Sequence, residues 1–283
     1  MIFKNAMSFK AKIKQISRDR GITAQQVQQN YLIEAFLSKL AESDYRNSFI
    51  IKGGYLIGGM VGLDLRATRD LDTTIKGFEL TPGNLERIAK DIVEIPTEES
   101  FTFKYEGVEE IREADDYPGY RVKLIATFEQ IEEIVTIDVT TGDIITPTEV
   151  GFHFNKMFSD GKLELLTYPI ETVLAEKLET ILSRGIGTTR PRDFYDVFIL
   201  SKLKADEIDY GVLAQALKNT KEKRKSVFEL AEYESIISAI NNSEFQRKLW
   251  GKYQKEYSYA KDTSFDTVLK EVLNMMHRVA KQL

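Results

Sequence analysis

The spacing of apolar residues predicts helices at both ends of this chain and a sheet between them. Residues 8–20 read as a short basic amphipathic helix that Gly21 ends, and Thr23-Ala24-Gln25-Gln26 has the capping-box spacing for a second. Val27, Tyr31, Phe36, Leu37 and Leu40 give that second helix an apolar stripe. Phe49-Ile50-Ile51 suits a buried strand, Tyr55 to Val61 a short helix, and Thr73-Thr74-Ile75 a β-prone run. Thr81 to Asn84 marks a turn and a helix start, with Leu85, Ile88, Ile92 and Val93 apolar. Strands are expected at Phe101–Tyr105, Tyr120–Phe128 and Ile134–Thr140, with the acidic run Glu109–Asp116 as a loop or edge. Gly151 to Leu166 reads as irregular or short strands. From Tyr168-Pro169 the pattern is helical: Val173, Leu174, Leu178, Ile181 and Leu182 line one helix, and Pro191 suits the first position of another. The remainder, Leu203 to Leu283, keeps helical spacing. This is an α/β (α+β) chain: residues 1–150 form a helical arm and a sheet domain, and residues 151–283 a mainly helical domain.

Candidate chemistry concentrates in one stretch, Lys52 to Ile75. Gly53-Gly54 allows a sharp turn and close approach of backbone to a ligand. The helix that follows would present free N–H groups and a positive dipole end, which favour phosphate. Asp70-Leu71-Asp72 enters the β-prone run, so both carboxylates share one face while Leu71 points to the core. Two carboxylates opposite a phosphate-binding turn is the layout that holds Mg²⁺ against a nucleoside triphosphate. A lone Asp-x-Asp is usually a solvated strand edge and a lone Gly-Gly usually a turn. In this order, with Arg66, Thr68 and Arg69 between them, they match a nucleotidyltransferase signature.

The composition, 42% hydrophobic and 29% charged over 283 residues, is that of a folded globular protein. Cysteine is absent, which excludes disulfides and cysteine-ligated zinc, and with two histidines a histidine-rich metal site is not expected. No apolar segment approaches membrane-spanning length, and the N-terminus lacks the apolar core of a signal peptide. A cytoplasmic, monomeric protein is expected. The net charge of −5 argues weakly against a nucleic-acid-coated surface, but basic residues cluster in the N-terminal arm, at 218–225 and at 247–255. The aromatics among the last of these (Trp250, Tyr253, Tyr257, Tyr259) could stack on RNA, although core packing is the commoner use of such spacing.

Further along, Asp138 interrupts the apolar strand Val135–Val139, and a buried carboxylate needs a partner. Metal coordination beside Asp70 and Asp72 would supply one; capping the turn to Gly142 is the alternative. Lys177 borders its helix's apolar stripe, where an ammonium either snorkels or reaches a triphosphate, as a point charge or a base of lowered pKa. In Arg190-Pro191-Arg192-Asp193-Phe194-Tyr195-Asp196, Asp193 and Asp196 share a helix face, and Arg192 and Asp196 could pair. Arg190 and Arg192 with these two carboxylates, beside a Gly/Thr loop, suggest substrate handling.

The motifs GGYLIG, RATRDLD, EKLETILSRG and RPRDFYD, in this order, resemble the AbiEii family of nucleotidyltransferase-like toxins of abortive-infection and type IV toxin–antitoxin systems, related to the MenT toxins. The resemblance spans essentially the whole chain. It implies a polymerase-β-like nucleotidyltransferase sheet domain with a helical C-terminal domain. It also implies that Gly53 and Gly54 contact phosphate, that Asp70 and Asp72 bind metal, that Lys177 lies near the nucleotide phosphates, and that Asp193 and Asp196 belong to an RxxDxxD-type activity motif. Arg69 is a further phosphate contact on this view, and Asp138 a third metal ligand. The turn here is Gly-Gly where many polymerase-β-like enzymes have Gly-Ser, so a serine hydroxyl on the phosphate is missing.

On this resemblance the expected activity is Mg²⁺-dependent transfer of NMP from an NTP to RNA, at the tRNA 3′ acceptor end. Blocked translation, growth arrest and phage defence would follow, with a cognate antitoxin encoded alongside. The alternatives are an enzyme of the same fold that modifies protein side chains, and a nucleotide- or RNA-binding module without chemistry.

Overall fold

The computed structural model describes residues 2–111 and 119–283, so Arg112 to Asp116 of the expected acidic loop lie outside the described residues. The chain divides into two compact units, one of residues 1–143 with 150–167 and one of residues 144–149 with 168–283.

The first unit opens with α1 (Ala6–Arg20) and α2 (Ala24–Ala41). Gly21 closes α1 at φ 65°, and the Thr23 and Gln26 side chains form the reciprocal cap that starts α2. Then come β1 (Phe49–Lys52), α3 (Gly53–Val61), β2 (Leu71–Ile75), α4 (Pro82–Val93), β3 (Thr102–Glu110), β4 (Tyr120–Phe128), β5 (Ile131–Thr141), β6 (Val150–Asn155) and β7 (Lys162–Thr167). Among the described residues, the seven strands join one mixed sheet in the order β3-β4-β5-β2-β1-β7-β6. β2 pairs antiparallel with β1 and parallel with β5, which sets these three strands at the centre.

Strand alternation gives the sheet an apolar face and a polar one. Leu71, Val122, Leu124, Ala126, Val135, Ile137 and Val139 are buried on the first, and α2 and α4 pack on these strands. The apolar stripe expected of α2 is buried in full. An aromatic cluster of Phe3, Phe9, Tyr31, Phe101 and Phe158 anchors α1 and α2, with ring centroids 5.0–6.0 Å apart.

Three sequence expectations need correction. β3 runs on through Glu109 and Glu110, because Gly107 and a register shift after Tyr105 let the strand bend without ending. β5 starts three residues early, at Ile131, where the two-residue turn Glu129-Gln130 closes the hairpin. The stretch from Gly151, read as irregular or short strands within the helical half, forms with Val150 the hairpin β6–β7 and joins the sheet through β7. β6 is an edge strand with only Phe154 buried, so it lacked an apolar signal.

The second unit is helical: α5 (Ile170–Arg184), α6 (Pro191–Leu203), α7 (Tyr210–Lys223), α8 (Tyr233–Asn241), α9 (Glu244–Glu256) and α10 (Phe265–Ala280). Pro191 stands in the first turn of α6. Trp250 and Tyr253 are buried, Trp250 stacks on Phe265 at 5.6 Å, and Tyr259 packs on Tyr195 at 4.9 Å. Trp250 and Tyr253 are core, and Tyr257 and Tyr259 are half-buried. No helix among the described residues is long and apolar enough to cross a membrane.

Candidate active site

In the sheet unit, β1 ends at Lys52 and the chain turns at once into α3. Gly53 takes φ 67°, a left-handed conformation that suits glycine. A Cβ on Gly53 would lie 2.0 Å from Asp72 Oδ2, so the Asp72 carboxylate rests against bare backbone at the start of α3. A Cβ on Gly54 would meet Arg66 Nη2 and Thr68 Oγ1, each at 2.9 Å. Both glycines therefore make room for polar groups of the chain itself. Arg66 is buried, and its Nη1 donates to the Ala67 carbonyl at 2.8 Å.

Asp70 stands just before β2 and Asp72 within it. Leu71 between them is fully buried, as the alternation requires. Asp70 is exposed, and its Oδ1 accepts a hydrogen bond from the Thr136 hydroxyl at 3.1 Å. Arg69, next to it, is exposed too.

The registers produce an arrangement that no single motif announces. Lys52 faces Asp72, Asp72 faces Asp138, Asp138 faces Arg121, and Arg121 faces Glu109. Five neighbouring strands each contribute one charged residue to a single row across the polar face, with a strand spacing of about 4.8 Å. The partner that Asp138 needs is Arg121: Nε donates to Oδ1 at 2.7 Å and Nη2 to Oδ2 at 2.9 Å. That hydrogen-bonded pairing, helped by the charges of Asp138, Asp70 and Glu109 and opposed by partial burial, holds the Arg121 pKa above its usual value. At the other end of the row, Lys52 Nζ donates to Thr140 Oγ1 at 2.7 Å and pairs with Asp143.

Sequence reasoning missed Lys52, Arg121 and Asp143. Lys52 and Asp143 are brought together only because β1 and β5 flank β2 in the sheet, and nothing local points to it. Arg121 could have been found. Closing the expected strands 120–128 and 134–140 into a hairpin at Glu129-Gln130 makes Phe128 face Ile131, and counting back sets Arg121 opposite Asp138.

In the helical unit, Lys177 on α5 reaches two carboxylates of α6. Its Nζ lies 2.8 Å from Asp193 Oδ1 and 3.1 Å from Asp196 Oδ2. Arg190, half exposed, donates from Nε to Asp193 Oδ2 at 2.6 Å. Both aspartates are buried, 1% and 0% exposed. Burial would raise the Asp193 pKa, but the Lys177 charge and the Arg190 hydrogen bond outweigh it and hold the carboxyl well below the usual range. Arg192 is exposed, and the ion-pair partner of Asp196 is Lys177 instead. The loop between α5 and α6 is fixed by Gln246, whose Nε2 donates to the carbonyls of Ile186 at 2.8 Å and Thr188 at 2.7 Å.

Whether these groups suit Mg²⁺ turns on the donor set. Among the described residues, no group of three or more His, Cys, Asp or Glu side chains forms a preformed metal cage. Mg²⁺ seldom needs one, since it is commonly bound by one or two carboxylates with substrate phosphates and water completing the shell. Asp70 and Asp72 are such a pair, and the Asp72 carboxylate itself occupies the space that a Cβ on Gly53 would fill. The residues fit the ion.

Comparison with known proteins identifies a family and a fold. The family model described as "Nucleotidyl transferase AbiEii toxin, Type IV TA system" matches residues 35–271. No curated protein matches the chain. Among solved structures, JHP933 from Helicobacter pylori shares 17% identity at a TM-score of 0.52, covering 92% of this chain and 95% of that one. A second H. pylori protein, titled as a candidate nucleotidyltransferase, shares 15% identity at a TM-score of 0.50, covering 93% of this chain and 99% of that one. At these identities the likeness shows the fold alone.

Proposed function

The chain belongs to the AbiEii family of nucleotidyltransferase toxins of type IV toxin–antitoxin systems, and from that premise we propose that it transfers NMP from an NTP to RNA, at the 3′ acceptor end of tRNA. The family implies a nucleotide substrate and an antitoxin partner. The observation that carries the proposed chemistry is the placement of Asp70 just before β2 and Asp72 within it, with Asp72 against the Gly53 turn at the N-terminus of α3.

Asp70 and Asp72 would hold Mg²⁺, which when bound neutralises charge on the nucleotide phosphates. Gly53 and Gly54 let the α3 amide groups approach a phosphate, and the helix dipole favours the negative charge. Arg69, exposed beside Asp70, adds a cation there. In the helical unit Lys177 is held by Asp193 and Asp196 as a fixed point charge for phosphate, while Arg190 and Arg192 offer guanidinium donors to substrate. The acceptor hydroxyl attacks the α-phosphorus, the bond from that phosphorus to the bridging oxygen breaks, and pyrophosphate leaves. Catalysis then rests on positioning and charge stabilisation rather than on a covalent enzyme intermediate. Blocked acceptor ends would halt translation and arrest growth, the basis of a phage-defence role.

The test is incubation of the purified protein with Mg²⁺, total bacterial tRNA and each α-labelled NTP in turn, beside Asp70→Ala. Label entering tRNA from one NTP, and lost in the variant, supports the proposal and identifies the base. Label entering protein instead would move the function to side-chain modification. Growth arrest that survives Asp70→Ala would remove the chemistry altogether.

A further inference from the structure

The loop between α5 and α6 is open to solvent on one side and held from within by a single buried side chain. Gln246 on α9 is 2% exposed, and its Nε2 donates to the Ile186 carbonyl at 2.8 Å and to the Thr188 carbonyl at 2.7 Å. Thr188 is buried as well, and its hydroxyl accepts from the Arg190 N–H at 3.3 Å. Ile186, Gly187 and Thr189 are exposed, and so are Arg184, Arg190 and Arg192 on and beside the loop. Among the described residues, neither Arg184 nor Arg192 forms an ion pair. We propose that Gln246 is a positioning residue and that the loop it holds docks the RNA backbone through Arg184, Arg190 and Arg192. This rests on the transfer to RNA proposed above and deepens it.

The physical case starts from the two carbonyls. On an exposed loop, water could satisfy both. A buried amide fixes their direction instead, and with it the backbone from which Arg190 projects. Ordering a loop residue on binding costs about 1–2 kcal/mol of backbone entropy, so a loop fixed beforehand keeps more of its contact energy. The planar guanidinium fork matches phosphate oxygens, which makes arginine suited to nucleic-acid contacts. Three arginines presented outward suit an extended polyanion better than a compact triphosphate. In a chain of net charge −5, a polyanion needs such a local gathering of cations to settle on.

Fluorescence anisotropy with 5′-labelled total bacterial tRNA, in the absence of NTP so that no transfer occurs, tests this across a salt series. The full-length protein should bind with a Kd that weakens as salt rises. Replacing Arg184 and Arg192 together by Gln should weaken binding about tenfold and lower the slope of log Kd against log salt by about 0.7–0.9 per lost phosphate contact. Gln246→Met keeps the side-chain length and removes both donors; it should weaken binding about fivefold and lower the same slope. If Gln246→Met does not fold, by circular dichroism, Thr188→Val is read instead, because it loses the hydroxyl that holds Arg190 and should give a smaller change of the same kind. A weaker Kd with an unchanged slope in Gln246→Met would reduce Gln246 to a packing role and overturn the positioning claim. An unchanged Kd and slope in the arginine variant, or weaker binding of a fluorescent NTP analogue in Gln246→Met with tRNA binding intact, overturns the inference and leaves the transfer reaction standing. Binding as expected, but with no label entering tRNA in the transfer assay, sinks the reaction and keeps the docking loop. No binding of tRNA by the wild type removes both.

Discussion

Asp70 in the sheet unit and Asp193 in the helical unit are both carboxylates of family motifs, and their surroundings are opposite. Asp193 is 1% exposed and is met by two cations, Lys177 and Arg190. Asp70 is exposed and is met by a neutral hydroxyl. A carboxylate satisfied from within has no charge left to offer a ligand and serves to hold its cations in place. A carboxylate satisfied by water and one hydroxyl can exchange that water for a metal at little expense. The difference separates an organising group from a binding one, although a motif scan ranks them alike.

The comparison breaks most visibly at Lys177. Lys177→Met removes the ammonium that lies 2.8 and 3.1 Å from two buried aspartates and should destabilise the fold by about 4 kcal/mol, the loss typical of a buried pair stripped of one partner. Urea denaturation at neutral pH measures it, and a loss under about 1 kcal/mol would mean that the cluster is not buried in solution.

Acid should sharpen the contrast. The pKa of Asp193 is lowered in the folded state, so its contribution is present above the ordinary carboxylate pKa and lost as the pH falls toward the folded value. Wild-type stability should therefore drop by about 2 kcal/mol between about pH 5 and pH 2 through this residue, and Asp193→Asn should flatten that limb. An unchanged limb in Asp193→Asn would put the acid sensitivity elsewhere.

Glu34 supplies the missing case, a buried carboxylate without matched cations. Burial, opposed by the Met157 N–H bond and reinforced by the Glu99 charge, pushes its pKa up to about 7. A raised folded pKa favours the fold below the unfolded value, and that contribution is lost as the pH rises through about 7. Glu34→Gln should therefore raise Tm at pH 8, by about 1–2 kcal/mol of stability, and do little at pH 4.5. An equal effect at both pH values would show that packing, not charge, decides it.

The smallest effect on the fold belongs to Asp70. Asp70→Asn should change stability by less than about 0.5 kcal/mol, as exposed substitutions do, while abolishing label transfer. Thermal melts beside the transfer assay check this. Loss of activity accompanied by loss of fold would erase the distinction between the two aspartates.

Local signals were legible and long-range ones were not. The caps at Thr23 and Thr81, the stop at Gly21, the start at Pro191 and the span of β4 follow from chemistry within a few residues of each site. Asp70, Asp72 and Gly53-Gly54 are close enough in sequence to be read as one motif, and the structure sets Asp72 against Gly53. Lys177 and Asp193, 16 residues apart on two helices, were each singled out, but their contact depends on how α5 meets α6. Gly151 to Leu166 could be read as irregular or short strands, but their place in the sheet was not legible, because an edge strand that buries one phenylalanine has no apolar alternation to mark it. Asp138 was singled out for the partner it must have, and the partner was hidden by register rather than by composition.

The charged row from Lys52 to Glu109 has a consequence for folding as well. Strand side chains alternate between faces, so a slip of one residue in any of its four pairings would turn a charged group into the layer that holds Leu71, Ile137 and Leu124. Each misaligned sheet would bury an ion without its partner and be rejected by several kcal/mol. The five strands proofread one another through the residues of the row, so a chain that assembles its sheet in the correct alignment has assembled the carboxylate site in the same event.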